Sequence, residues 1–138
     1  MGKKERIERA VESYKNGYNC AQAIACTYAD MFGIDEKTAF RMSEGLGLGM
    51  GAMEDCGAVT AMALVVGMKL SDGNTSAPET KKICYKKSAE LIEEFTKKNK
   101  TIICRDLKGV DTGTPIRSCA GCVEDVAVII EEKLIAED

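Results

Sequence analysis

Apolar residues recur along this chain at helical rather than strand spacing. Ile7, Ala10, Val11 and Tyr14 fall at i, i+3, i+4 and i+7, the stripe of a helix with one face on a core, and Gly17 is placed to stop it. Asn19, with Gln22 three residues on, has the form of a capping box. It opens a second helix that is apolar nearly all round to Met31 and ends at Gly33. Asp35 is placed to cap a third, shorter helix to about Glu44. From Gly45 to Gly51 every second residue is glycine, which disfavours helix and strand alike and predicts a loop of unusual backbone freedom. Asp55 can then cap a helix from Cys56 to about Leu70, again apolar all round. Ser71-Asp72-Gly73-Asn74 reads as a turn. Ser76-Ala77-Pro78-Glu79 has capping-box form with proline in the first turn, and predicts a long amphipathic helix to about Lys98. Thr101–Pro115 reads as a connector whose first four residues are the longest strand-like stretch. Ser118 caps a last helix with the stripe Val123, Val126, Ala127, Ile130 and Leu134. The expected fold is all-α: a compact single domain over residues 1–138, a bundle of five to six helices with a glycine-rich loop before a buried helix. Order is expected throughout except at Met1–Lys4 and Ala136–Asp138.

A length of 138 residues suits one domain and a core that needs no disulfide staples. The net charge of −3 has both signs interspersed, so there is no basic stripe for nucleic acid. Met1–Arg9 is charged and lacks the apolar region of a signal peptide. The longest uncharged run near the middle, Cys56–Met68, is far short of a membrane span. The expectation is a cytoplasmic protein. Two helices apolar all round are much surface for one small domain to bury, and a homodimer would cover the excess.

The chemistry lies in seven cysteines, at positions 20, 26, 56, 84, 104, 119 and 122. An odd count in a reducing compartment argues against a disulfide framework and leaves metal ligands, redox thiols or core residues. The chain has no histidine, which removes Ser-His-Asp and Cys-His catalysis, Cys₂His₂ zinc fingers and a histidine-ligated haem. Cys119-Ala120-Gly121-Cys122 has dithiol spacing, but Val123 follows it, so it is no haem attachment site, and no strand–helix–strand pattern precedes it as in thioredoxin. A zinc ribbon needs two close cysteine pairs and this is one.

Asn19-Cys20-Ala21, Asp55-Cys56-Gly57 and Ser118-Cys119-Ala120 share a local grammar: cap residue, cysteine, small residue, at a helix start. Free N–H groups and a partial positive charge there favour a thiolate or an anionic metal–sulfur group. A helix terminus is worth only about 0.3–1 kcal/mol to a nearby charge, less than one pKa unit at roughly 1.4 kcal/mol, so full ionisation needs a metal or a second positive group. Cys104 has Arg105 beside it and Lys108 nearby. Cys84, on the stripe with Ser88, Leu91, Ile92 and Phe95, and Cys26, inside an apolar helix, read as core. Cys20 lies on an apolar stripe with Ile24 and Met31, so spacing alone fits core and site equally. Met42, Met50, Met53, Met62 and Met68 read as core filler. Gly47-Leu48-Gly49-Met50-Gly51-Ala52 matches the letters of a dinucleotide fingerprint but follows a helix, not a strand.

Asn19-Cys20-Ala21-Gln22-Ala23, Gly45 to Gly51, Cys56-Gly57-Ala58-Val59-Thr60, Cys104-Arg105-Asp106-Leu107-Lys108-Gly109 and Cys119 through Val123 stand in the order of a known family's motifs. Nearly the whole chain resembles the redox-active protein family named for the pattern C_GCAxxG_C_C. Ala61 stands where that pattern has its last glycine, and Cys122 where a larger residue is usual. The resemblance implies redox or iron–sulfur chemistry at Cys20, Cys56, Cys104 and Cys119, in an electron-transfer protein whose redox partner it does not name. Zinc on the same four thiols, a metal-free thiol–disulfide protein, and an interaction module with structural cysteines are the alternatives.

Overall fold

The computed structural model describes residues 1–136, and every regular element among them is helical. Seven α-helices follow one another: α1 (Lys3–Lys15), α2 (Cys20–Ala29), α3 (Glu36–Ser43), α4 (Gly57–Leu70), α5 (Lys81–Asn99), α6 (Cys104–Lys108) and α7 (Cys119–Ile130). The short α6 lies in the stretch expected as a connector, which carries the number past the expected five to six. Single turns of tighter or wider helix extend α2 at Asp30–Phe32 and α7 at Glu131–Ile135. No helix among the described residues is long and apolar enough to cross a membrane.

The central helix is α2, which packs on α1, α3, α4 and α7. Nine of its ten residues are buried, so its apolar circumference is accounted for within the chain. The same holds for α4, packed between α2, α5 and α7 with Ala63 its one exposed residue. Ile24, Tyr28, Met62, Val65, Val66, Leu91, Phe95, Val123, Val126 and Ile130 form the principal core. A smaller cluster of Ala25, Cys26, Ala29 and Ala39 lies between α2 and α3.

Several boundaries differ from the sequence reading, each for a local reason. The helix expected from Ser76 begins at Lys81. Asn74 Oδ1 takes the Ser76 and Ala77 amides at 3.2 and 3.1 Å, and Pro78 disfavours helical backbone at Ala77. Asp55 does not cap α4. Its segment is pinned to residues 102–104 by Cys56 N–H donating to Ile102 O (2.7 Å) and Cys104 N–H to Glu54 O (2.6 Å), and Cys56 itself becomes the N-cap. At the N-terminus the chain is helical from Lys3, where Glu5 accepts the Gly2 amide and Lys3 pairs with Glu132 at 3.6 Å. Ala136 donates its amide to Glu131 O at 2.9 Å, and the rest of the expected C-terminal disorder falls on Glu137 and Asp138, outside the described residues. Met62 and Met68 pack in the core as expected, whereas Met42 and Met50 are exposed.

Two buried carboxylates tie α7 to its neighbours. Glu131 accepts from Arg6 Nε and Nη2 (2.8 and 2.7 Å) and from Tyr28 Oη (2.7 Å). Asp125 accepts from Arg117 (3.0 and 3.1 Å), Lys98 (2.8 Å) and Asn99 (3.1 Å). Burial pushes both carboxyls up, but the hydrogen bonds from Arg6 and Tyr28, and from Arg117, Lys98 and Asn99, outweigh it and hold both below the usual carboxylate range. A folded-state pKa below the unfolded one gives stability that is present at neutral pH and lost as pH falls through the folded value. Urea unfolding should therefore show stability dropping below about pH 4. Glu131→Gln should lose on the order of 3–5 kcal/mol at pH 7 and show a shallower acid slope; an acid slope equal to the parent's would contradict this account.

Candidate functional site

The starts of three full-length helices meet on one side of the molecule. Asn19 caps α2 by accepting the Gln22 amide at 2.8 Å, while Gln22 accepts the Asn19 amide at 3.0 Å, so Cys20 is the first helical residue. Ser118 caps α7 by accepting the Gly121 amide at 3.0 Å, and Cys119 follows. Cys56 is the cap of α4. The pairing of residues 54–56 with 102–104 brings Cys104, at the head of the short α6, to the same place. All four cysteines line one cleft of about 430 Å³, with Cys122 as a fifth thiol. Tyr14, Tyr18, Leu48, Leu107, Lys108 and Arg117 complete much of its wall.

The glycine-rich loop closes over this cleft under strain. Leu48, Met50 and Met53 have φ of 54°, 58° and 56°, left-handed conformations that residues with side chains rarely adopt. Asn19 Nδ2 donates to Glu44 O at 2.9 Å and so anchors the loop to the start of α2. Two glycines are required by close approach. A Cβ at Gly49 would lie 2.5 Å from Glu54 N and 3.0 Å from Cys104 Cβ, and one at Gly57 would lie 2.7 Å from Cys20 Sγ.

Inside the cleft the thiols are close enough to act on one another's ionisation, Cys56 on Cys20 and Cys122 on Cys56. Cys56 and then burial push the Cys20 thiol far up, against the pull of the Leu48 and Ala21 amides. Cys56 is pushed up to about 12, first by Cys122 and then by burial, against Cys20 and the Val59 amide. Burial raises Cys104, with Lys108 opposing. Cys119 is half-buried at the mouth, where Lys108 Nζ donates to its Sγ at 3.6 Å. Burial and then Cys119 push the Tyr14 phenol up to about 12.

Cys26 and Cys84 do not line the cleft. Cys26 is buried in the α2–α3 cluster, where burial raises it to about 11, and Cys84 is half-buried against the principal core. Arg105, expected to serve Cys104, instead makes a bidentate pair with Asp111 at 2.9 and 2.7 Å and is absent from the cleft wall. Lys108 is the cation at the sulfurs. Helical spacing places Tyr14 on a core stripe, its polar tip being the one signal of a site role, and leaves Cys122, one turn from Cys119, open between spare ligand, resolving thiol and core; the structure puts both on the cleft.

The donors are all thiols, a set that suits thiolate-ligated iron–sulfur clusters. Among the described residues no three His, Cys, Asp or Glu side chains are grouped to hold a single metal ion. A cluster spreads its ligands over several irons and accepts more widely spaced sulfurs than one ion does, so the donor set fits a cluster in its chemistry.

An all-helical domain with five thiols on one cleft defines a class of cysteine-pocket protein. Residues 18–133 match the sequence model of the family described as Putative redox-active protein (C_GCAxxG_C_C), and the chain belongs to that family. No curated protein and no solved structure matches it.

The raised thiols carry a prediction. An acid whose folded pKa lies above the unfolded value, about 8.5 for cysteine, favours folding while protonated, and that contribution fades as pH rises from the unfolded value to the folded one. Thermal melts of the reduced, metal-free protein should show falling stability from about pH 8.5 upward, and Cys56→Ala should flatten that fall. An unchanged alkaline slope in the variant would show that the Cys56 thiol is not strained by its neighbours.

Proposed function

We propose that this redox-active protein transfers electrons through an iron–sulfur cluster held by the thiolates of Cys20, Cys56, Cys104 and Cys119. One observation supports this above the others: cysteines from four separate helix starts line a single cleft whose donors are all sulfur. A bound cluster would supply one-electron redox chemistry.

The remaining work falls to the chain. The Ala21 and Leu48 amides at Cys20 and the Val59 amide at Cys56 favour negative charge on those sulfurs. Hydrogen bonds to ligand sulfurs are one of the protein's levers on such a potential, and the Leu48 amide of the strained loop is placed to supply one at Cys20. Because Cys56 and burial hold the Cys20 proton, and Cys122 and burial the Cys56 proton, loading must release protons and should be favoured as pH rises.

The test is anaerobic reconstitution with ferrous iron and sulfide, read by visible absorbance and by assay of iron and acid-labile sulfide. The parent protein should turn brown with stoichiometric iron. Cys56→Ser should stay colourless, whereas Cys84→Ser should load like the parent. A parent protein that stays colourless and iron-free would overturn the proposal.

A further inference from the structure

Cys122 is the pocket thiol that the four-ligand reading leaves over. It lies one turn along α7 from Cys119, and both face the same cleft. Residues three apart on a helix have Cα atoms about 5 Å from each other, within the roughly 4.4–6.8 Å range that a disulfide spans. The two sulfurs sit in opposite surroundings. Cys119 is half-exposed and receives Lys108 Nζ at 3.6 Å, with Tyr14 on the same cleft wall, while Cys122 is buried in the cleft with Cys56.

We propose that Cys119 and Cys122 are a dithiol pair that reduces disulfide substrates at the cleft mouth, and that closing their own disulfide withdraws Cys119 from the cluster site. The chemistry balances with a disulfide RSSR as the oxidant. Cys119 sulfur, as thiolate, attacks one substrate sulfur; a Cys119–SR bond forms, the RS–SR bond breaks, and RS⁻ leaves. Cys122 then gives up its proton and attacks Cys119 Sγ, forming the Cys119–Cys122 bond and expelling the second RS⁻. The two departing thiolates take up the two protons released by the cysteines. Two electrons pass from the dithiol to the substrate, giving one protein disulfide and two RSH.

The partners at the mouth fit these roles. Cys119 and Cys20 are both half-buried, but Cys119 is the one that receives the Lys108 ammonium, at 3.6 Å, which offsets negative charge on its sulfur. Cys122 needs no access of its own, since its target is the sulfur one turn away. Cys84, half-exposed on α5 outside the cleft, lacks a second pocket thiol and serves as the internal control.

The withdrawal of Cys119 rests on the cluster reading; the dithiol reaction does not. The experiment therefore has two arms. In the first, the reduced, metal-free chain is mixed with hydroxyethyl disulfide, quenched by alkylation and mapped by peptide mass. The parent should close one disulfide, between Cys119 and Cys122. Cys122→Ser should stop at a mercaptoethanol adduct on Cys119, and Lys108→Met should slow the reaction by about fivefold, as loss of one neighbouring charge at a partly exposed site implies. Circular dichroism of each variant confirms that the helices are kept. A disulfide mapped to another pair, or an adduct in Cys122→Ser that avoids Cys119, overturns the proposal. In the second arm the oxidised chain is offered ferrous iron and sulfide. It should take up none until a dithiol reductant is added; full loading with the disulfide intact overturns the withdrawal. A reduced chain that never loads iron sinks the cluster reading and leaves the first arm standing.

Discussion

Two backbone hydrogen bonds decide what this protein can do. Cys56 N–H to Ile102 O and Cys104 N–H to Glu54 O clip the start of α4 to the start of α6, across nearly fifty residues of chain. Without that clip, Cys104 would sit in a surface connector and Cys56 would head a helix facing nothing. With it, the glycine loop is trapped between α2 and α6 so tightly that Gly49 and Gly57 have no room for a Cβ. The backbone strain at Leu48, Met50 and Met53 is the local consequence, of order 1 kcal/mol or more per residue, held in place by the packing around it.

The cleft gathers groups that resist ionising together. Five thiols share one cleft, and like charges placed together there disfavour one another. Such a cluster is poised between outcomes that remove the conflict: a cation that takes thiolates as ligands, or oxidation that removes two thiols as a disulfide. Compensation from the protein's own side chains is direct at the mouth, where Lys108 donates to Cys119 at 3.6 Å and also favours a thiolate at Cys104. That asymmetry between mouth and interior separates a thiol that meets substrates from thiols that wait behind it.

The rest of the fold keeps the helix starts in register. Glu131 and Asp125 are buried acids with every polar atom satisfied, and they bind α7 to α1 on one side and to α5 on the other. Arg117 serves twice, holding Asp125 and forming part of the cleft wall, and the absence of a side chain at Gly121 makes room for it, a Cβ there lying 2.5 Å from the guanidinium. The position of Cys119 therefore depends on a salt bridge two turns down its own helix.

The sequence by itself determined the helical class, the caps at Asn19, Asp35 and Ser118, the turn before α5 and the core stripes of α1 and α7, because these rest on spacing and on hydrogen bonds between residues three or four apart. It also marked Cys20, Cys56 and Cys119 by their cap contexts, with Cys104 added by the order of the family's motifs, and read Cys26 and Cys84 as core. What only the tertiary structure decided was which groups meet. Asp55 lost its expected capping role and Arg105 its expected thiol, since the first is pinned by a distant backbone and the second finds Asp111. Tyr14 and Lys108 come to the cleft of Cys119 from α1 and α6, and Cys122 lines the same cleft as Cys56. Local periodicity carries no information about such pairings, because they are contacts between residues tens of positions apart, or between side chains whose directions are fixed only once the helices have packed.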